Sequence, residues 1–245
     1  MRYFLTGATG FLGSRLIEQL VEEGHEVVAL VRESSKTESL PDTVELAVGD
    51  ITEKATMREP MRGVDGVFHL AAWYSVGNPD PERAERINVD GTRNVLELVG
   101  ELGVPRAVYT STLAINSDTG GRLVDESYRH EGEHLSVYDR TKWQAHHQVA
   151  KPMAEAGLPV VILMPGLIYG PGDRGPMWTL WKAYLERSLP AIPKKTAYCW
   201  GHVADTAAAH RSAMAKGESG RSYIVAGAPH SIVEAFEIAE EVTGI

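Results

Sequence analysis

The sequence contains one cysteine, Cys199, among 245 residues. A lone thiol excludes any disulfide within the chain. It suits a reducing compartment, where Cys199 fits a core role better than a nucleophilic one. Basic residues are also short, 24 Lys and Arg against 33 Asp and Glu, for a formal net charge of −9. A nucleic-acid surface needs clustered cations to neutralise phosphates, so no nucleic-acid partner is expected. There is no basic tail and no block of like charge. No apolar run is long enough to span a bilayer, so no membrane partner is expected. The first strand pattern begins at Arg2, which leaves no room for a leader peptide and predicts a cytoplasmic protein.

Hydrophobic residues make up 43% of the chain, enough for a full core. The length predicts one compact α/β domain, or a domain with a small lobe. The most informative stretch is Thr6-Gly7-Ala8-Thr9-Gly10-Phe11-Leu12-Gly13. An apolar run, Tyr3-Phe4-Leu5, precedes it. A helical pattern with Leu12, Leu16, Ile17, Leu20 and Val21 on one face follows it. Three glycines therefore sit in the bend between a buried strand and an amphipathic helix. Lacking Cβ atoms, they let the backbone turn tightly and a ligand approach. The N–H groups of the first helical turn point at that ligand, and the helix dipole favours an anion. A pyrophosphate is expected on Gly7, Thr9, Gly10, Phe11, Leu12 and Gly13.

Gly24 is placed to end the first helix. Residues 26–31 read as a second, β-branched strand. A dinucleotide site selects its ribose at the end of this strand. A carboxylate there holds the ribose hydroxyls of NAD, and an arginine nearby accepts the 2′-phosphate of NADP. Here Val31 stands where the carboxylate would be, and Arg32 follows. That predicts NADP over NAD. The alternative is that Arg32 is a solvated surface residue and Glu33 reaches the ribose. Residues 44–48 and 66–70 read as further strands, and 107–109 as a fifth that ends in Thr110-Ser111-Thr112. Trp73 and Tyr74 either line a substrate pocket at the carboxyl end of the sheet or anchor a loop. Gly77-Asn78-Pro79-Asp80-Pro81 reads as a loop. A helix is expected from Asn88 to about Leu102. Its apolar pattern spans more than one face, which suits burial by the sheet on one side and by a partner subunit on the other.

Tyr138 and Lys142 are four residues apart and share one helical face. A free tyrosine titrates too high to exchange protons at neutral pH, and a nearby ammonium lowers that value. Lys142 can also hold a ribose hydroxyl. Placed after the glycine-rich bend and a strand ending in Ser/Thr, the pair reads as catalytic. His130-Glu131-Gly132-Glu133-His134 matches the zinc pattern His-Glu-x-x-His. A glycine sits at its centre in a polar loop, so no metal site is expected. His146-His147 reads as a helix-surface or interface pair.

The Gly-x-x-Gly-x-x-Gly spacing, in Thr-Gly-Ala-Thr-Gly-Phe-Leu-Gly, resembles the extended short-chain dehydrogenase/reductases. These include nucleotide-sugar epimerases and dihydroflavonol reductases. The resemblance implies a Rossmann-type, doubly wound, mostly parallel sheet of order 3-2-1-4-5-6 plus an edge strand, with a small C-terminal substrate lobe. It divides the chain into a cofactor and catalytic domain over 1–165 and a mixed region over 166–245. It implies that Asp50, followed by Ile51, contacts the adenine. It lays Leu70, Ala71 and Ala72 along the cofactor and makes His69 a packing residue rather than a base. It makes Thr112 the third catalytic hydroxyl, with Ser111 turned towards the structure. Pro165 and Ile168 would lie against the nicotinamide, where Met164 replaces the usual Arg. Tyr169 and Trp178 join Trp73 and Tyr74 as substrate candidates. The helices near Asn88 and Tyr138 resemble a dimer-forming pair, which implies a homodimer.

The leading expectation is an NADP-dependent oxidoreductase acting on a carbonyl or alcohol, nearest the dihydroflavonol-reductase-like branch. A nucleotide-sugar epimerase would favour an acid at position 31. A sugar dehydratase would need a carboxylate where Leu113 stands. A non-catalytic NADP sensor usually loses the Tyr-x-x-x-Lys pair, which this chain keeps.

Overall fold

A computed structural model describes residues 1–75 and 80–245. The expected loop at Gly77-Asn78-Pro79 therefore falls outside the described residues. The elements in order are β1 Arg2–Thr6, α1 Phe11–Glu22, β2 Glu26–Val31, β3 Glu45–Val48, α2 Lys54–Arg58, β4 Gly66–His69, α3 Pro81–Glu85 and α4 Thr92–Glu101. Then come β5 Ala107–Thr110, α5 Val137–Gln144, α6 Lys151–Glu155, β6 Val160–Pro165, β7 Leu167–Tyr169 and α7 Pro176–Leu185. The last are β8 Ala197–His202, α8 Val203–Lys216, β9 Ser222–Val225, β10 Pro229–Ser231 and α9 Ile232–Thr243.

Seven strands form one parallel sheet in the order β3-β2-β1-β4-β5-β6-β9. That is the expected doubly wound order with β9 as the added edge. Alternation along the strands feeds two cores. Phe4, Val28 and Ile162 point to one face, with α4 residues Val95, Leu96 and Val99. Leu5, Ala29 and Val161 point to the other, with Leu16 and Ile17 of α1 and Ala207 and Met214 of α8. A second sheet, β10-β8-β7, is built from the last third of the chain. Ser231 caps α9 with a full capping box to Glu234.

Two expectations are corrected here. The third helical region starts at Pro81, not Asn88, because Asp80 caps it by accepting from the Arg83 N–H. It runs through a π-helical stretch at Arg86–Gly91 into α4. The breadth of apolar residues on α4 is also used inside the chain. Val95, Leu96, Leu98 and Val99 are all buried, together with Ala145, Val149 and Ala150 of the neighbouring helix. No partner subunit is needed to explain them.

Candidate active site

The bend after β1 closes when the Gly10 N–H donates to the Gly7 carbonyl at 3.0 Å. Gly7 has φ +77°, a left-handed conformation that favours glycine. A Cβ there would lie 2.7 Å from the Ala71 nitrogen. A Cβ on Gly13 would lie 2.1 Å from the Gly7 carbonyl oxygen. So α1 starts flush against the bend, and the bend lies flush against the chain leaving β4. The helix has no side-chain cap at Gly10 and no acid in its first turn. Its first-turn N–H groups are left for an external anion, as a dinucleotide pyrophosphate requires.

A cleft lies over this bend. Thr6, Gly7, Thr9 and Gly10 form its floor. Arg32 and Ser35, after β2, form one wall, and Asp50 and Ile51, after β3, extend it. Leu70, Ala71 and Ala72 run along the opposite side to Trp73 and Tyr74. One oxygen of Asp50 is taken by the turn it closes, accepting from the Thr52 N–H and hydroxyl at 2.9 Å each. The side chain of Leu12 packs into the α1 core, which leaves its backbone to face the anion. Pro165 pairs with Val225 at the end of β6, and Ile168 pairs with Gly201 in the small sheet.

Tyr138 stands in the first turn of α5, capped by Ser136. Its ring meets Tyr74 edge-on at 4.9 Å, and the Thr112 hydroxyl accepts from the Ala114 N–H at 3.1 Å. Tyr74 thus joins the cofactor cleft to the phenol. Burial pushes Tyr138 up to about 12, with the Thr112 hydroxyl pulling the other way. Lys142 is 2% exposed. Its ammonium donates to the Thr110 carbonyl at 2.8 Å and to the Tyr109 hydroxyl at 3.1 Å. It lies 4.7 Å from the centre of the Tyr109 ring. Burial draws it down to about 7. The expected depression of Tyr138 by Lys142 is therefore not what this structure has. The ammonium is turned towards Tyr109 and Thr110, and desolvation dominates both groups.

Three positioning residues escaped the sequence reading. Tyr109 presents its hydroxyl and ring face to Lys142. Asn88, 1% exposed, clamps both backbone groups of Trp73 at 2.7 and 3.1 Å and donates to Thr141 on the catalytic helix at 2.9 Å. His210 donates from Nδ1 to the Thr206 carbonyl, so its Nε2 accepts from the Thr110 hydroxyl at 2.9 Å. Arg83 also lines the cleft, from the helix that was not expected to begin there. Of these, Asn88 and Tyr109 lay in stretches already singled out.

Ser111 turns away from the cleft to His146, Oγ to Nδ1 at 2.8 Å. His146 is 3% exposed, which corrects its reading as a surface residue. His69 is buried between Thr6 and Thr92, at 2.7 and 3.0 Å, and packs as expected. Cys199 is only half-buried, on β8. Tyr169 sits edge-on to Trp200 and His202, and Trp178 is 46% exposed on α7. Residues 130–134 are not helical. Among the described residues, no three His, Cys, Asp or Glu side chains are grouped to hold a metal. No described helix is long and apolar enough to cross a membrane.

Burial draws His69 and His146 down to about 3 and His210 to about 4. Below the ordinary histidine range the unfolded chain binds protons that the folded chain refuses. Stability is thus full above about pH 6.5 and drains away as pH falls towards these values. Between about pH 7 and pH 5 the loss is expected to be on the order of 5 kcal/mol. Thermal melting across that range checks it, and an unchanged midpoint contradicts it.

Residues 3–226 match the NAD dependent epimerase/dehydratase family. A protein of Synechocystis sp., provisionally named a dihydroflavonol 4-reductase, is 37% identical over 89% of this chain. The chain spans 64% of that protein's length. The crystal structure of gox2253 superposes with a TM-score of 0.91 at 31% identity, over 99% of this chain and 75% of that one. A UDP-glucose 4-epimerase of Thermus thermophilus, in complex with NAD, gives 0.84 at 26% identity, over 100% of this chain and 84% of that one. The glycine bend, the parallel strand order and the match over residues 3–226 agree: the chain belongs to the NAD dependent epimerase/dehydratase family, the extended short-chain dehydrogenase/reductases.

Proposed function

We propose that this chain is an NADP-dependent oxidoreductase that moves a hydride between the nicotinamide and a carbonyl or alcohol carbon. The observation that carries this reading is Tyr138, edge-on to Tyr74 at the end of a cleft floored by the glycine bend. Bound in the cleft, the cofactor supplies or accepts the hydride. The first-turn N–H groups of α1 bind its pyrophosphate. Thr112 orients the substrate oxygen. Tyr138 gives that oxygen a proton as the carbonyl becomes an alcohol, and takes it back in reverse. Its surroundings keep it protonated at neutral pH, the form that reduction requires. The Lys142 nitrogen donates to a neutral hydroxyl and a carbonyl, and when protonated it has one further N–H for a ribose hydroxyl.

NADP rather than NAD rests on Arg32. It lines the cleft after β2 beside Ser35, whose hydroxyl accepts from the Arg32 N–H at 3.0 Å. An arginine at that point pairs with a 2′-phosphate, and Val31 offers no carboxylate to the ribose. Arg32→Ala is expected to weaken NADPH binding about tenfold or more and to leave NADH binding nearly unchanged. Fluorescence titration of the purified protein with both cofactors checks this. Tighter NADH binding, or NAD retained through purification, would overturn it and favour a nucleotide-sugar epimerase. The substrate is read as an aromatic or aliphatic ketone, admitted past Trp73 and Tyr74.

A further inference from the structure

The His130-Glu131-Gly132-Glu133-His134 segment takes no part in the site above. Arg129, His130, Glu131, Gly132 and His134 line a second pocket, against Trp143 on α5. None of the residues lining this pocket lines the cofactor cleft. Rings follow one another along it. His130 and His134 have centroids 5.0 Å apart, His134 and Trp143 5.6 Å, and Trp143 and His147 5.0 Å. The Arg129 guanidinium lies 5.1 Å from the centre of the Trp143 ring.

Three nitrogens here are buried without a hydrogen-bond partner: His134 Nδ1, Trp143 Nε1 and His147 Nε2. A buried polar atom left unpaired is destabilising, and such atoms are uncommon in folded proteins. Three along one row of rings point to something that pairs with them. An indole N–H and a guanidinium only donate. Burial holds both His134 and His147 below the usual imidazole range, and Arg129 adds to this at His147. Each imidazole is then neutral at physiological pH and offers one N–H. Glu131 and Glu133 are exposed, and Asp139, whose charge reaches His134, is engaged by Ser136. The lining thus holds donors, the Arg129 guanidinium and one carboxylate, Glu131. A metal cation is disfavoured, because Arg129 repels it and the indole N–H cannot ligate it.

We propose that this pocket binds an oxyanion, a carboxylate or phosphate group, held by Arg129 and the Trp143 N–H with an imidazole N–H as a further donor. The proposal is independent of the cofactor cleft. Its test reads the pocket directly rather than turnover. In uniformly ¹⁵N-labelled protein, the Trp143 indole resonance is identified by its loss in Trp143→Phe. It is then followed during titration with sodium phosphate and with sodium acetate, against sodium chloride at equal ionic strength. A saturable shift with phosphate or acetate but not chloride is expected. In Arg129→Gln the midpoint should move to about tenfold higher anion or beyond, the scale of one charge-assisted hydrogen bond. Arg129 is exposed, so this variant is expected to melt like the parent, and its titration alone decides the matter should Trp143→Phe fail to fold. Three results would overturn the proposal. One is no saturable shift, which means the orphan nitrogens are served by water. Another is an equal shift in Arg129→Gln. The third is a response to zinc chloride in place of the anions, which means a metal site.

Discussion

Tyr138→Phe is expected to slow carbonyl reduction by about 10²–10⁴-fold while NADPH still binds. The ring stays, and with it the 4.9 Å edge contact to Tyr74, so the wall of the cleft is kept. Only the hydroxyl is lost. In the proposed reaction that hydroxyl is the group that gives the substrate oxygen its proton. Without it, hydride arrival builds an alkoxide that must find its proton from water. Steady-state rates on any ketone the parent reduces, beside NADPH titrations of both proteins, make the comparison. A variant with rates within a few-fold of the parent would remove Tyr138 from the chemistry. Thr112→Val should cost less, about tenfold to a hundredfold, because it removes an orienting bond and leaves the proton donor in place.

Gly13→Ala is expected to abolish cofactor binding and to destabilise the fold by about 1–3 kcal/mol. The added Cβ would fall 2.1 Å from the Gly7 carbonyl oxygen, well inside contact distance. The clashing atom is backbone, so it cannot rotate aside. Relief requires α1 to slide away from the bend, which moves the first-turn N–H groups that hold the pyrophosphate. Gly63 provides the control. It has φ +72°, and a Cβ there would meet nothing within 4 Å. Gly63→Ala should carry only the left-handed conformational penalty, about 1 kcal/mol, with NADPH binding intact. Denaturant melts and NADPH titrations of the two variants separate the effects. Parent-like NADPH binding by Gly13→Ala would show that the helix start does not hold the cofactor.

The sequence by itself determined what is local or periodic. The bend at Gly7, Gly10 and Gly13, the strands 26–31 and 107–109 and the shared face of Tyr138 and Lys142 each follow from spacing within a few residues. The parallel order followed from the resemblance carried by those motifs. What a side chain meets across the fold was decided only by tertiary structure. Lys142 turns to Tyr109, 33 positions away, and Ser111 meets His146, 35 away. Asn88 clamps Trp73 and reaches Thr141, 53 away. Nothing in a neighbouring residue announces such partners. Burial likewise set the proton affinities. Lys142 is drawn down and Tyr138 is pushed up because their surroundings exclude water, and no spacing rule carries that desolvation. The α4 pattern shows the same limit, since an apolar face states that it must be covered and leaves open by what. The fold covered it with the helix at residues 145–155.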